Sequence, residues 1–350
     1  MDIARKVTTH LALFFITYLI YVYPVDAMNY LLFDHDFFRL SSLFVSFLVY
    51  FAVIFYFRTH TTFTPLMLFV HEGMGIGFIS FWVSSLALIF SVTSDVGASD
   101  LGIFSVVVIG LLVFYSVLNG RSVVVKKLEI VSSKVSKNVS LAFISDVHLG
   151  SNSEHYLETI CEKIKSLNCD LLIIGGDFID SSSFDLAGLN SLEKLNMPIL
   201  FISGNHEYYI KDSAEKLRAL ENYNLKFLDN DAFRFNEINI IGVSDNQTLT
   251  LQEKVVGRFV ESSCFNLAVI HKPSLWERVV DRVDLMLSGH THNGQIFPFG
   301  LFVRIQFKQV YGLYERLNSA LYVSSGAGCW GPRMRLGTKN EIVKISISAN

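Results

Sequence analysis

The chain has 350 residues, of which 51% are hydrophobic and only 17% are charged. Soluble globular proteins carry about 25% charged residues, so this composition predicts membrane segments and argues against a fully soluble enzyme. The net charge of -3 provides no basic surface, and nucleic acid is not an expected partner. The four cysteines lack paired zinc-type spacing and are interpreted as reduced thiols; they are Cys161, Cys169, Cys264 and Cys329.

Four apolar stretches precede residue 120, at residues 11–23, 40–57, 66–90 and 101–118. About 20 mainly apolar residues are enough to span a bilayer, and the last three stretches qualify. The first is short, and Arg5 and Lys6 before it would also suit a signal peptide, but no small-residue cleavage site follows. We therefore predict a membrane domain over residues 1–120, with about four transmembrane helices that anchor the chain.

Charges between these stretches predict the orientation of the helices. Six basic residues precede the first stretch or follow the second and fourth: Arg5, Lys6, Arg58, Arg121, Lys126 and Lys127. The acidic residues follow the first and third: Asp26, Asp34, Asp36, Asp95 and Asp100. Because basic loops stay on the cytoplasmic side, we expect a multi-pass protein of the inner (cytoplasmic) membrane, with the rest of the chain in the cytoplasm.

The third stretch contains two ionisable residues, His71 and Glu72, followed by Gly73, Gly75 and Gly77. An intramembrane ionisable site is one interpretation. The sequence favours a simpler one, in which His71 and Glu72 lie at the interface and the glycines allow helices to pack closely.

Beyond residue 120 the pattern changes to alternating strands and helices, which predicts an α/β domain over residues 139–350 after a linker or first strand at 121–138. Strands are predicted at residues 139–145, 170–175, 199–203, 238–243, 267–270, 284–287, 321–324 and 341–348. Helices are predicted at residues 153–167, 186–195, 211–222 and 275–280.

Polar residues follow five of these strands, and in α/β sheets ligands collect at the carboxyl ends of strands. These residues are Asp146 and His148, Asp177, Asn205 and His206, His271, and His290 and His292. If the last segment is extended, His290 and His292 project in the same direction, because alternate residues of a strand share a face.

The donor atoms of this set predict a metal site. Mixed nitrogen and oxygen donors fit Mn²⁺, Zn²⁺ or iron better than Mg²⁺ or Ca²⁺ alone. Seven of these residues are candidate ligands, which is too many for one tetrahedral ion and suits two metals that share a bridge; they are Asp146, His148, Asp177, Asn205, His271, His290 and His292. Such a site would attract an anion.

Five blocks resemble, in order, the pattern of calcineurin-like metallophosphoesterases: Asp146-x-His148, Gly176-Asp177, Gly204-Asn205-His206-Glu207, His271 and Gly289-His290-x-His292. The resemblance covers residues 139–348 and implies a four-layer α/β/β/α sandwich. With the apolar half, the chain is similar to bacterial membrane-anchored members and to animal transmembrane proteins with a metallophosphoesterase domain. The run 289–298 is similar to that subgroup's signature, with Asn293 in place of the usual glycine.

The resemblance implies a role for each residue. Asp146, His148, Asp177 and His292 would bind one divalent metal, and Asp177, Asn205, His271 and His290 the other, with Asp177 as the bridge. His206 matches the histidine that stabilises the transition state or protonates the leaving oxygen. Manganese is the favoured metal, and zinc or iron also fit. Glu207 would orient His206 or be solvated, while Asp180 and Asp245 are interpreted as turn or capping residues.

The expected function is that of a membrane-anchored, dinuclear-metal phosphohydrolase that cleaves a phosphoester, including diesters, or a pyrophosphate. The apolar run at residues 296–304 is either a buried loop or a surface that faces membrane lipid. The second interpretation favours an amphiphilic or lipid-linked substrate over a small phosphorylated molecule, and UDP-2,3-diacylglucosamine is one substrate that the resemblance implies. A protein phosphatase, a phosphodiesterase of soluble nucleotides and an inactive membrane scaffold of the same fold stay open as alternatives.

Overall fold

In the computed structural model, which describes residues 2–37, 39–59 and 63–349, the apolar and the α/β parts of the chain form separate units. The first unit comprises Met1–Leu118 with Gly331–Met334, and the second comprises Asn119–Trp330 with Arg335–Asn350.

The first unit is helical. Its helices are α1 (Asp2–Thr17), α2 (Tyr23–Phe33), α3 (Leu40–Thr59), α4 (Thr64–Thr93) and α5 (Ala98–Gly120), with a π-helical turn at Tyr18–Val22 between the first two. The structure describes four segments long and apolar enough to cross a membrane: Arg5–Phe33, Leu40–Thr59, Thr64–Thr93 and Ala98–Gly120. Many of their leucine and phenylalanine side chains are exposed, as expected of helices that face lipid.

The first span differs from the prediction, because the helix continues well past residue 23. Pro24 lies in the first turn of α2, where the missing N–H group of proline costs little. Asp26, which we predicted in a loop, is instead buried in α2 and accepts a hydrogen bond from Ser42 Oγ at 2.7 Å. Asp26 therefore contributes nothing to the loop-charge argument, which rests on Asp34 and Asp36 for this loop.

Two of the three predicted glycines of α4, Gly73 and Gly77, pack against the first span, as the simpler interpretation predicted, whereas Gly75 packs against Pro332 and Met334. A Cβ atom on Gly73 would lie 2.9 Å from Tyr21 Cε1, and one on Gly77 would lie 2.9 Å from the carbonyl carbon of Ile20. His71 is buried, and its ring lies edge-on to that of Tyr56 at 5.1 Å. Glu72 Oε1 accepts a hydrogen bond from Arg333 Nε at 2.8 Å within this unit.

The second unit is built on two sheets. Its strands in chain order are β1 (Val123–Val131), β2 (Val139–Ile144), β3 (Leu171–Gly175), β4 (Ile199–Ile202), β5 (Leu225–Phe227), β6 (Asp231–Phe235), β7 (Ile238–Val243), β8 (Phe265–Ile270), β9 (Leu285–Ser288), β10 (Gly312–Arg316), β11 (Ser319–Val323) and β12 (Asn340–Ser348). One six-stranded sheet has the order β1-β12-β2-β3-β4-β5 and the other β10-β11-β9-β8-β7-β6. The inner strands β2, β3 and β4 pair in parallel, and so do β7, β8 and β9.

The helices of this unit are α6 (Glu154–Ser166), α7 (Ser213–Ala219), α8 (Leu249–Phe259), α9 (Trp276–Val279) and α10 (Phe299–Gln306). Buried residues of α6 and α7 pack on the outer face of the first sheet, and those of α8 and α9 pack on the outer face of the second. Two predicted helices are wholly or partly 3₁₀-helical, at Leu186–Lys194 and Leu220–Tyr223.

Strand alternation divides the core into three apolar layers. Leu141 and Phe143 of β2 point between the sheets, whereas Ala142 and Ile144 point toward α6 and the 3₁₀ helix at Leu186–Lys194. A third cluster packs β7, β8 and β9 against α8 and α9. Both faces of the inner strands are buried, which explains their continuous apolar sequences. The arrangement confirms the predicted α/β/β/α sandwich.

Candidate metal centre

The predicted metal residues all follow inner strands, in loops at their carboxyl ends. Asp146 and His148 follow β2, Asp177 follows β3, and Asn205 and His206 follow β4 of the first sheet. His271 follows β8 and the pair His290 and His292 follows β9 of the second sheet. The site therefore draws residues from both sheets of the sandwich.

Five of the eight residues have a left-handed backbone: Asp146, His148, Asp177, His290 and His292, with φ between 49° and 72°. Non-glycine residues rarely adopt this conformation, and such strain is concentrated at functional sites. The left-handed turns direct these side chains into the space between the strand ends.

Asp146, His148 and His292 form one potential metal-binding group, whose ligand atoms lie within 4.8 Å of one another. His148 Nε2 is 3.1 Å from His292 Nε2, and His292 Nε2 is 3.3 Å from Asp146 Oδ1. Asp177, His271 and His290 form a second such group. There His271 Nε2 is 2.9 Å from Asp177 Oδ2 and 3.2 Å from His290 Nδ1.

Asp177 connects the two groups. Its Oδ2 atom, next to His271, is also 3.9 Å from His148 Nε2 of the first group. Asn205 Oδ1 is buried and has no hydrogen-bond partner among the described residues. A buried carbonyl oxygen without a partner is costly, and a bound cation would satisfy it. The donor set therefore fits the two metals that the sequence predicts.

His206 is held beside these groups by its own backbone. Its N–H group donates to Asp177 Oδ1 at 2.8 Å, and its Nε2 is 3.9 Å from Asp177 Oδ2. The ring lies edge-on to His148 at 4.8 Å and also contacts two exposed aromatic residues, Tyr209 at 5.4 Å and Trp330 at 5.8 Å. His206 also belongs to a third potential metal-binding group, with His148 and Asp177.

The histidines of the site differ in pKa, because burial lowers it and neighbouring carboxylates raise it. Burial lowers the pKa of His206 to about 4 and that of His290 to about 3, so both rings are neutral at pH 7. Burial also disfavours charge on His271, but the carboxylates of Asp177 and Asp146 outweigh it and raise the pKa of His271 to about 10. A metal that binds His271 must therefore displace a proton.

Glu207 does neither of the two things that we predicted for it. Its side chain is buried and accepts four hydrogen bonds from the backbone. Oε2 accepts from the N–H groups of Asp177 and Gly204, and Oε1 accepts from those of Phe178 and Ile179. One carboxylate thus joins the loop after β3 to the loop after β4, and fixes the main chain on both sides of the metal residues.

Asp180, which we predicted to be a turn or capping residue, also contacts one of the predicted metal ligands. Its Oδ2 lies 3.2 Å from His148 Nδ1 and accepts from Ser151 Oγ at 2.6 Å. A carboxylate behind a metal-binding histidine orients the ring and raises its basicity. Asp245, the other predicted capping residue, is buried and forms an ion pair with Lys272 at 2.6 Å.

Arg335, which is not among the predicted site residues, is fully buried. Its Nη1 donates to the carbonyl of His292 at 2.7 Å, and its Nη2 donates to the carbonyls of Ser325 and Gly328 at 2.6 and 2.7 Å. Nε donates to Asn340 Oδ1 at 2.7 Å. No motif marks this residue, since its role comes from contacts with segments distant in sequence.

The predicted extended geometry of the histidine pair is wrong. His290 and His292 follow β9 as expected, but their left-handed backbone turns the rings toward different groups. Asn293, in place of the subgroup's glycine, also has a positive φ of 50°, which asparagine tolerates better than most residues. Between the two histidines, Thr291 Oγ1 donates to the carbonyl of Val310 at 2.6 Å.

Comparisons with known proteins identify the family of this chain. The model of the calcineurin-like phosphoesterase family matches residues 139–294. An uncharacterised metallophosphoesterase of Campylobacter jejuni is 33% identical over 262 residues, covering 69% of this chain and 68% of that protein. The chain belongs to the calcineurin-like metallophosphoesterases.

The chain is also similar to a metallophosphoesterase of another bacterium and to one of an animal. One from Helicobacter pylori is 33% identical over 64% of this chain and 63% of its own length. A Bos taurus protein named as a transmembrane protein with a metallophosphoesterase domain is 28% identical over 61% of this chain and 53% of its own length.

Family membership makes the second unit a metal-dependent phosphoesterase domain, and its fold implies a dinuclear site for divalent metals. Together with the four apolar helices, it makes the chain a membrane metallophosphoesterase.

Proposed function

We propose that this metallophosphoesterase hydrolyses a phosphoester or pyrophosphate bond of a lipid-linked or amphiphilic substrate at the cytoplasmic face of the inner membrane. The observation that supports hydrolysis most is the pair of ligand groups joined by Asp177. Seven residues would hold two divalent ions: Asp146, His148, Asp177, Asn205, His271, His290 and His292. Their mixed donors favour Mn²⁺, and Zn²⁺ or iron would also bind.

Such ions supply positive charge for the phosphoryl oxygens and make an attacking water more acidic. The protein's own residues then divide the remaining work. Asp177 keeps the two groups at a fixed separation, and Glu207 holds the main chain of Asp177. His206 would hold a proton for the leaving oxygen; its ring is adjacent to Asp177 and lies outside the two main ligand groups, which supports this role. An anionic substrate beside the ring would raise its low pKa toward neutrality.

Two features support a lipid-linked substrate. Four apolar helices keep the catalytic unit at a membrane, and the basic residues after α5 favour its cytoplasmic side. In addition, the segment after the metal loop is a helix with exposed apolar side chains, so the interpretation of residues 296–304 as a buried loop is wrong for all but Ile296. UDP-2,3-diacylglucosamine, which carries a pyrophosphate and two acyl chains, is the specific substrate that we propose to test.

The test is a substrate panel with the purified full chain in lipid nanodiscs and Mn²⁺. It compares a soluble diester, a soluble monoester and UDP-2,3-diacylglucosamine. We expect Asp177→Asn to reduce turnover of the best substrate by several orders of magnitude, and Asp281→Asn, at an exposed aspartate of the same unit, to leave it unchanged. Absence of turnover with the whole panel, or equal turnover by Asp177→Asn, would refute hydrolysis at this site and favour the scaffold alternative. Faster turnover of the soluble diester than of the lipid would refute the substrate class only.

A further inference from the structure

Helix α10 presents apolar side chains to solvent immediately after the metal loop. None of its side chains, all of which the structure describes, is buried. Ile305 is 83% exposed and Leu301 59%, while Phe299 and Phe302 are each about half exposed; Phe297 just before the helix is 64% exposed. We call these five residues the α10 apolar face. Single exposed apolar residues are ordinary, but a contiguous group on one short helix marks an interaction surface.

The side of α10 that packs against the metal loop determines which of its residues face solvent. At about 100° per residue, Leu301, Ile305, Phe302 and Phe299 occupy one arc of about 160°. Gly300 lies on the opposite side, where its backbone packs against that of Gly294, so closely that a Cβ atom on Gly294 would overlap it. The helix therefore contacts the metal loop through Gly300, where no side chain intervenes. Its large apolar residues lie on the other side and stay exposed.

The charges next to this face suit a bilayer surface. Arg304 and Lys308 are exposed at the border and just beyond the end of α10. Their long side chains can reach phosphate headgroups while the apolar residues enter the acyl region. An apolar arc bordered by basic residues is the pattern of helices that lie in the membrane interface.

The covalent connection keeps such a surface within reach. Only Arg121 and Ser122 separate the end of α5 at Gly120 from the start of β1 at Val123. At about 3.3–3.6 Å per residue, this link is at most about 11 Å long. Because the unit is tethered so closely to a spanning helix, the effective concentration of lipid around it is high. A soluble partner would have to compete with that lipid for the α10 apolar face.

We propose that α10 lies in the membrane interface, with the α10 apolar face inserted into lipid and the metal loop held at headgroup level. The inference deepens the proposed function and rests on its membrane anchoring. A phosphoester in the headgroup layer would then reach His290 and His292 without its acyl chains leaving the bilayer. In this arrangement α10 determines which substrates can enter, because it places the site at the depth of lipid phosphates.

The test measures lipid contact directly, without catalysis. A single environment-sensitive fluorophore is placed by Ile305→Cys in the full chain; the four native cysteines are buried and do not compete for it. The matched control is Leu251→Cys, at a 47% exposed leucine of α8 in the same unit. In nanodiscs of zwitterionic and anionic lipid, we expect spin-labelled lipid to quench the fluorophore at position 305 at least several-fold more than at position 251. Aqueous iodide should show the opposite order.

Three results would overturn the proposal. Equal lipid quenching at positions 305 and 251 would show that α10 faces water. Protection of position 305 from both quenchers would show that a protein surface, such as a second copy of this chain, covers the helix. Unchanged quenching in a background that also carries Leu301→Ser and Phe302→Ser would show that the apolar face does not hold the helix at the membrane.

An activity measurement separates this inference from the proposed function. The double variant Leu301→Ser/Ile305→Ser should hydrolyse a soluble diester at the rate of the unmodified protein, and hydrolyse a lipid substrate in the bilayer at least about tenfold more slowly. Equal rates on the lipid would refute the role of α10 in substrate access. If the unmodified protein hydrolyses no substrate, the proposed function fails, while the quenching experiment still decides whether α10 contacts lipid.

Discussion

Replacement of Glu207 by glutamine tests whether one carboxylate holds the metal loops together. Oε2 accepts from Asp177 N at 3.0 Å and from Gly204 N at 2.7 Å, and Oε1 accepts from Phe178 N at 2.6 Å and from Ile179 N at 2.9 Å. Glutamine has nearly the same size, but one of its two terminal groups is an NH₂, which cannot accept. Two of the four N–H donors therefore lose their acceptor whichever way the amide is turned.

The expected loss of stability follows from these bonds. Hydrogen bonds to a charged group contribute about 1.5–3 kcal/mol each, so the loss of two lowers the free energy of unfolding by about 3–6 kcal/mol. For a unit of this size, 1 kcal/mol shifts the unfolding midpoint by roughly 2–4 °C. The midpoint should therefore fall by at least about 6 °C. Because two of the four donors are the N–H groups of Asp177 and Gly204, metal affinity should weaken as well, by about 10–100-fold.

The buried cysteines provide an assay that reports on the second unit alone. Cys161, Cys169, Cys264 and Cys329 all lie in this unit, and a dye that fluoresces on reaction with thiols follows their exposure on heating. Burial raises the pKa of Glu207 to about 7, so the measurement is made at pH 8.5, where the carboxylate is ionised. The full chain is used in nanodiscs, with and without Mn²⁺.

Glu221→Gln, at an exposed glutamate of the same unit, is the control for the change of charge. Its midpoint should lie within about 1 °C of the unmodified protein. If Glu207→Gln shifted the midpoint by no more than this control, the four N–H groups would not depend on an ionised carboxylate, and the reasoning above would be refuted.

Three further predictions concern the metal site. Asp180→Asn should weaken Mn²⁺ binding and lower turnover by about 10–100-fold, because it removes the carboxylate behind His148; an unchanged Mn²⁺ titration would contradict this role. Gly204→Ala should abolish metal binding measured by calorimetry, since the new Cβ would overlap Asp177 Oδ1. Gly257→Ala, at a helical position where the new Cβ would make only an ordinary contact of 3.4 Å with Arg282 Nη1, should bind metal normally, and equal binding by both variants would disprove the steric argument. Chelation followed by readdition of Mn²⁺ at about 1,000 times its Kd should raise stability by about 4 kcal/mol per site, seen as a higher midpoint in the thiol assay; no shift would mean that the folded unit binds no metal.

The position of the candidate site could be predicted because its residues follow sequences that are easily recognised. The inner strands that precede site residues are short apolar runs, such as Leu141–Ile144 before Asp146. The polar residues that follow such a run lie at the carboxyl end of the strand. The geometry within the site could not be predicted in this way. The left-handed conformations of His290 and His292 are imposed by surrounding contacts, such as the bond from Arg335 to the carbonyl of His292.

Elements at the edges of the fold were harder to predict than the inner strands. The structure contains β5, β6, β10, α8 and α10, at positions where the sequence predicts no strand or helix. In β6 the side chains are half-buried or exposed, so its apolar pattern is weak. In α10 the apolar side faces outward, the reverse of the usual periodicity, and its composition therefore resembles that of a buried loop. The roles predicted for Asp180 and Glu207 were wrong, because they depend on the groups that the fold brings next to each carboxylate: the ring of His148 for Asp180, and four backbone N–H groups for Glu207.

The place of β12 in the first sheet has a consequence for how the protein is made. β12 lies between β1 and β2, pairing with β1 over nine residues and with β2 over five. During synthesis β1 emerges first and has no partner, and one edge of β2 stays open, until residues 340–348 leave the ribosome. The apolar helices can enter the membrane long before then, so the chain passes through a stage in which it is anchored but its sheet is open to pairing with other chains. A stop codon before Asn340 would make that stage permanent, and would leave an aggregation-prone product in the bilayer instead of a slightly shortened enzyme.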